Sequence, residues 1–112
     1  MLIKDSQINA LGIPAKERFI LQTIRFLREN TSDWAVDKND EEIRRDIENM
    51  IRIGDEKNIK KEINIQKMLY HWIKYDLSLP FNEQIDHSLS IEGLNENRRI
   101  KEMIKVIRKH HG

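Results

Sequence analysis

The stretch Asn39-Asp40-Glu41-Glu42-Ile43-Arg44-Arg45-Asp46-Ile47-Glu48-Asn49-Met50-Ile51-Arg52-Ile53-Gly54 carries a full set of local instructions for a helix. Asn39 is a residue type that caps helix starts, and Glu42, three positions on, completes a reciprocal capping box. Asp40, Glu41 and Glu42 put negative charge at the positive end of the helix dipole. Ile43, Ile47, Met50 and Ile51 then recur on one helical face. Gly54 follows as the expected left-handed stop. The stretch predicts a helix over about 40–53.

The same period extends to either side. Gly12-Ile13-Pro14 breaks the chain after an arm of residues 1–13, and Pro14 suits a first helical turn, where its missing N–H would be unpaired anyway. A helix over about 15–30 follows, with Ile20, Thr23, Ile24 and Leu27 in register and Phe19 and Phe26 widening the stripe. Thr31-Ser32-Asp33-Trp34 is expected to end it and to leave Trp34 in a polar loop. Downstream, Ile65, Leu69, Trp72 and Ile73, flanked by Met68 and Tyr75, mark a helix over about 60–76. Leu79-Pro80-Phe81 forces an extended break, because proline disfavours helix at the residue before it. A short helix near 82–88 and a last one near 95–109, striped by Ile100, Met103, Ile104 and Ile107, complete the chain.

Strand-like alternation is absent throughout. The reading is one all-α domain over residues 1–112, a bundle of four main helices plus a short fifth, with no sheet. Ile24, Leu27, Ile47, Ile51, Leu69, Trp72, Ile73, Ile104 and Ile107 are expected to be largely buried.

Composition narrows the function classes. The 112 residues fit a single domain, and 20 basic against 19 acidic side chains leave a net charge of +1. Such a balance argues against coating nucleic acid, and no nucleic-acid partner is expected. No apolar run reaches the roughly 18–20 residues that span a bilayer. The start, Met1-Leu2-Ile3-Lys4-Asp5, has no signal-type apolar region, so the expectation is a cytoplasmic protein without a membrane partner. With no cysteine there is no disulfide, thiolate nucleophile or cysteine-type zinc site.

Catalytic chemistry finds little to stand on. His71 has Lys74 and Tyr75 at the positions where a second ligand would follow on a helix, His87 is isolated, and His110 and His111 sit at the chain end. Asp40, Glu41, Glu42, Asp55 and Glu56 read as caps and dipole partners rather than as carboxylates held in a desolvated cleft. No serine lies in a G-x-S-x-G elbow, and no glycine-rich phosphate loop occurs. No enzyme activity, metal or cofactor is expected.

Binding is the better prospect. Arg98, Arg99, Lys101, Lys105, Arg108 and Lys109 are opposed in their stretch by Glu102 alone. They read either as ordinary charge at a helix C-terminus or as a face for an acidic partner. Trp34 and Phe81 read either as plugs on the core or as exposed anchors. Interfaces favour Trp and Arg over Lys, so Trp34, Phe81, Arg98 and Arg99 are the candidate partner-binding residues.

The order of these features resembles a family. Lys4-Asp5-Ser6-Gln7-Ile8-Asn9-Ala10-Leu11 contains a Gln-x-x-x-Leu start, and the first helix ends near Phe26-Leu27. The acidic capped helix from Glu42-Ile43 to Ile51, the Ile53-Gly54 turn, Ile65 through Tyr75, Leu79-Pro80-Phe81 and Arg98-Arg99-Ile100 follow in turn. The chain is similar to small all-helical accessory proteins of bacterial type VI secretion gene clusters, found near spike and effector genes. It has Arg52-Ile53-Gly54 at the turn, and Lys74-Tyr75-Asp76 where the family usually has glycine. The resemblance implies a non-enzymatic, cytoplasmic adaptor or chaperone that binds an effector or spike component, and it carries over no catalytic residues. Two further roles stay open: an immunity protein that inhibits a neighbouring toxin, and a nucleic-acid-binding regulator.

Overall fold

In the computed structural model, residues 13–111 are described. They form α1 (Ile13–Asn30), α2 (Ser32–Ala35), α3 (Asp40–Glu56), α4 (Glu62–Lys74), α5 (Glu83–Ser88) and α6 (Glu96–His111), with no strand among the described residues. The protein is all-α. The expected arm falls outside the described residues up to residue 12.

The starts of the helices obey local rules. Pro14 lies in the first turn of α1. Asn39 Oδ1 accepts from Glu42 N at 2.9 Å while Asn39 N donates to Glu42 Oε1 at 3.0 Å, which is the anticipated capping box of α3. Asn82 and Asn95 do half of the same task, their side-chain oxygens accepting from Ile85 N and Arg98 N at 2.9 Å.

The ends depart from expectation at Gly54. The helix runs through it to Glu56, and the left-handed residue is Asn58, with φ of 57°. Ile59 N donates to Gly54 O at 2.7 Å and Asn58 N to Asp55 O at 3.1 Å, the paired bonds of a Schellman stop. Asp76, with φ of 51°, ends α4 the same way, through Leu77 N to Trp72 O and Asp76 N to Ile73 O. In both motifs the next residue is apolar and buried, Ile59 in one and Leu77 in the other. That burial draws the chain back onto the core and holds each polar residue in the left-handed region.

Trp34 also differs from expectation. Thr31 does not release the chain into a loop: Trp34 N and Ala35 N donate back to Thr31 O, making the single turn α2. Arg28 holds the turn that follows, donating to Ala35 O, Lys38 O and the Asp40 carboxylate.

One apolar cluster joins all the helices. Phe19, Ile20, Ile24 and Leu27 of α1 meet Ile43, Ile47, Met50 and Ile51 of α3, Ile65, Met68 and Leu69 of α4, and Ile100, Met103 and Ile107 of α6. Trp72, Ile73 and Ile104, expected to be largely buried, are instead partly exposed at its margin. They flank the stripes of α4 and α6 rather than lying at their centres. The central helix is α4, which packs against α1, α3 and α6.

Candidate functional site

A helix in the middle of a bundle should be apolar on nearly every side. Helix α4 nonetheless buries Glu62, Asn64, Gln66 and His71. Each buried polar group needs a partner or a reason. Asn64 has partners, since its amide donates to Glu96 Oε1 and Asn97 Oδ1, both at 2.8 Å. Glu62 lies within the electrostatic reach of Arg18, and burial pushes its carboxyl above the ordinary range.

His71 has a partner within its own helix. Its Nδ1 lies 2.7 Å from Lys67 O, and a carbonyl only accepts, so Nδ1 carries the proton and the neutral ring keeps Nε2 as an acceptor. Burial, offset in part by that bond, lowers its pKa, and the positive charges of Arg108, Lys74 and Lys67 lower it further. The sign of the pH effect follows. As pH falls past the ordinary 6.5, the unfolded chain takes up the proton before the folded one. The stability contributed by the neutral ring is therefore complete above about pH 6.5 and is lost as pH drops through the lowered folded value. Urea unfolding of His71→Gln should show a flatter stability profile on the acid side of that pH than the wild type. An unchanged slope would mean that His71 is not the group that titrates.

Gln66 stands apart. It is 6% exposed, and its Nε2 has no hydrogen-bond partner. Thr23 Oγ1 is in the same condition, but Thr23 sits within the α1 stripe. Gln66 lines a pocket of about 320 Å³ between α1 and α4, together with Phe26, Asn30, Ile63, Lys67, Tyr70 and His71. A second pocket of about 340 Å³ adjoins it across Asn30 and Tyr70, bordered by Asp33, Trp34, Ile73 and Lys74. The two form a groove with Tyr70 at its middle.

Aromatic contacts fix the walls. Tyr70 packs tilted against Phe26 at 6.4 Å and edge-on to His71 at 5.5 Å, and His71 stacks on Tyr75 at 6.0 Å. Trp34 meets Trp72 edge-on at 6.0 Å, with Lys38 Nζ 4.5 Å above its ring. Lys74 Nζ lies 5.7 Å from the Tyr70 ring and 5.5 Å from the Tyr75 ring. The groove thus has an aromatic floor, a buried amide and a rim carrying Lys67 and Lys74. Interfaces are commonly built as an apolar centre with a charged rim.

The four residues singled out from sequence are not brought together. Trp34 is partly buried and contributes a wall of the groove. Phe81 is partly buried against the core and lines neither pocket. Arg98 is exposed on the outer face of α6, and with Lys101, Lys105 and Arg108 it forms a stripe at helical spacing. Lys105 pairs with Glu102; among the described residues Arg98, Lys101 and Arg108 make no ion pair.

Arg99 corrects the expectation of a two-arginine contact face. It is 9% exposed and turned inwards, donating to Leu94 O, Lys57 O, Leu89 O and Asn58 O. The reason is local electrostatics. The end of α3 presents carbonyls at Lys57 and Asn58 that need donors, while the start of α4 presents N–H groups that need acceptors. Helix α6 answers both with one turn, Arg99 to the carbonyls and Glu96 to Lys60 N at 3.0 Å and Lys61 N at 2.9 Å.

Among the described residues, no group of three or more His, Asp or Glu side chains is placed to hold a metal ion. No described helix is long and apolar enough to cross a membrane. Compared with protein-family models, curated proteins and solved structures, the chain matches none.

Proposed function

We propose that this protein is a non-enzymatic binding partner of another protein, acting as an adaptor or chaperone for a secreted effector or spike component. The observation that carries the binding half of this reading is the groove around Tyr70, where partly exposed aromatic rings adjoin a buried amide without a partner. A polar group left unpaired in a well-packed helix costs stability, and a bound partner that supplies the missing bond recovers it. The secretion half rests on the resemblance in sequence alone. The basic outer stripe of α6 supports an acidic partner by steering its approach, a contribution that falls as salt screens it.

The test is co-expression with the effector or spike gene that neighbours its own. The reading expects a stable complex on size exclusion, weakened by Tyr70→Ala, with the toxicity of the effector unaffected and its export lost when the chain is deleted. Rescue of growth without any effect on export would make the chain an inhibitor instead. Failure to form a complex with either neighbour, together with unaltered export, would overturn the proposal.

A further inference from the structure

We infer that the groove around Tyr70 recognises an acidic segment of the partner, with a carboxylate seated at Gln66 and Lys67 and an adjoining apolar side chain seated against Trp34. The inference rests on the protein-binding reading above and states what that partner must present.

The two ends of the groove differ in what they can receive. The first pocket is lined by Gln66, whose Nε2 is a buried donor with no acceptor, and by the exposed Lys67. Arg108 and Lys74 lie within electrostatic reach of His71 in the same wall, and no Asp or Glu lines this pocket. A group that accepts a hydrogen bond and carries negative charge satisfies both demands at once, and charge-assisted bonds of this kind are the stronger ones. His71 is neutral there and adds no positive charge of its own, while its Nε2 remains an acceptor for an N–H of the incoming chain.

The second pocket has a different character. Asp33 and Lys74 both line it, so its charges offset each other, and Trp34, Tyr70 and Ile73 supply apolar surface. It suits a Leu, Ile, Met or aromatic side chain. Tyr70 belongs to both pockets and separates them. A ligand therefore crosses Tyr70 with its acidic residue towards Gln66 and its apolar residue towards Trp34. A basic segment would meet Lys67 and Lys74 and is disfavoured.

The experiment is selection of a random-peptide phage library on the intact chain, followed by fluorescence anisotropy with the enriched peptides made synthetically. The expected result is enrichment of peptides that carry Asp or Glu next to a large apolar residue. Gln66→Leu and Lys67→Glu should each weaken binding by about tenfold or more, as should replacing the peptide's acidic residue by its amide. Lys67 is exposed, so Lys67→Glu keeps the fold and remains informative should Gln66→Leu lower the melting temperature. Enrichment of basic or uncharged peptides overturns the inference, as does an absence of enrichment. Acidic peptides whose binding survives both groove variants but is lost on charge reversal of Arg98 and Lys101 move the site to α6; the groove assignment then falls while the protein-binding reading stands. Peptide binding seen only after residues 1–12 are deleted would make that arm the occupant, and dimerisation lost on Tyr70→Ala would assign a second copy. Either result overturns the inference. Failure of the co-expression complex is read separately and bears on the parent proposal.

Discussion

Arg99→Ala is expected to be among the most damaging single substitutions outside the apolar core, at about 3–5 kcal/mol of unfolding free energy. The guanidinium reaches four backbone carbonyls, the closest being Lys57 O at 2.6 Å and Leu89 O at 2.8 Å. Two of the four belong to the α3–α4 junction and two to the α5–α6 segment. Truncation removes this donor from the buried Leu89 carbonyl and from three part-buried ones, and each costs about 1–3 kcal/mol where water cannot enter. Arg99→Met separates this from lost packing, because it keeps most of the side-chain bulk and removes every donor. It should cost nearly as much as alanine. Arg99→Lys keeps the charge but not the planar fork, so it should recover only part of the loss. The adjacent Arg98→Ala sets the baseline: Arg98 is exposed, and its removal should change stability by no more than about 0.5 kcal/mol. Urea unfolding of the four variants decides the matter. Equal small losses at both positions would mean that the buried clasp contributes nothing beyond an ordinary surface arginine.

The contrast between these neighbours shows where sequence reading succeeds and where it stops. The capping box of α3 was legible because Asn39 and Glu42 are three residues apart and their bonds depend on local backbone alone. The stripes of Ile43, Ile47 and Met50, or of Ile100, Met103 and Ile107, were legible for the same reason: helical geometry fixes which residues share a face. Arg99 was not. Its burial is decided by carbonyls 41 and 42 positions earlier in the chain, and nothing in Arg98-Arg99 distinguishes the two arginines until α3 is in place. The groove has the same character. Phe26 reads only as a residue widening the stripe of its own helix, the helical period does not mark Tyr70, and only the packing of α1 against α4 sets the two rings 6.4 Å apart. Gln66 carries no signal at all in a sequence, because an amide without a partner is visible only once its neighbours are known. Trp34 was singled out because a tryptophan among polar residues is unusual, and the structure places it in the groove wall.

Gly54→Ala should destabilise the protein by about 2–3 kcal/mol, although helix propensity alone favours alanine over glycine by about 1 kcal/mol. Gly54 lies inside α3, is buried, and does not take the left-handed conformation that would by itself demand glycine. What demands it is space. A Cβ at this position would lie 2.9 Å from Ile59 O and closer still to Ile65 Cδ1. The first of these is backbone within the Schellman turn, whose Ile59 N already donates to Gly54 O at 2.7 Å, so it cannot retreat without loosening the stop of α3. The second is the tip of a side chain and can be shortened. The double variant Gly54→Ala with Ile65→Val removes the Cδ1 obstacle and leaves the carbonyl. It should recover part of the loss caused by Gly54→Ala, measured against Ile65→Val alone, because neighbours that share one space are not additive. Complete recovery would place the whole conflict on Ile65, whereas no recovery would place it on the turn. Should Gly54→Ala instead raise stability, propensity outweighs packing here, and the close approach of the α3–α4 turn to α3 is not what holds this glycine.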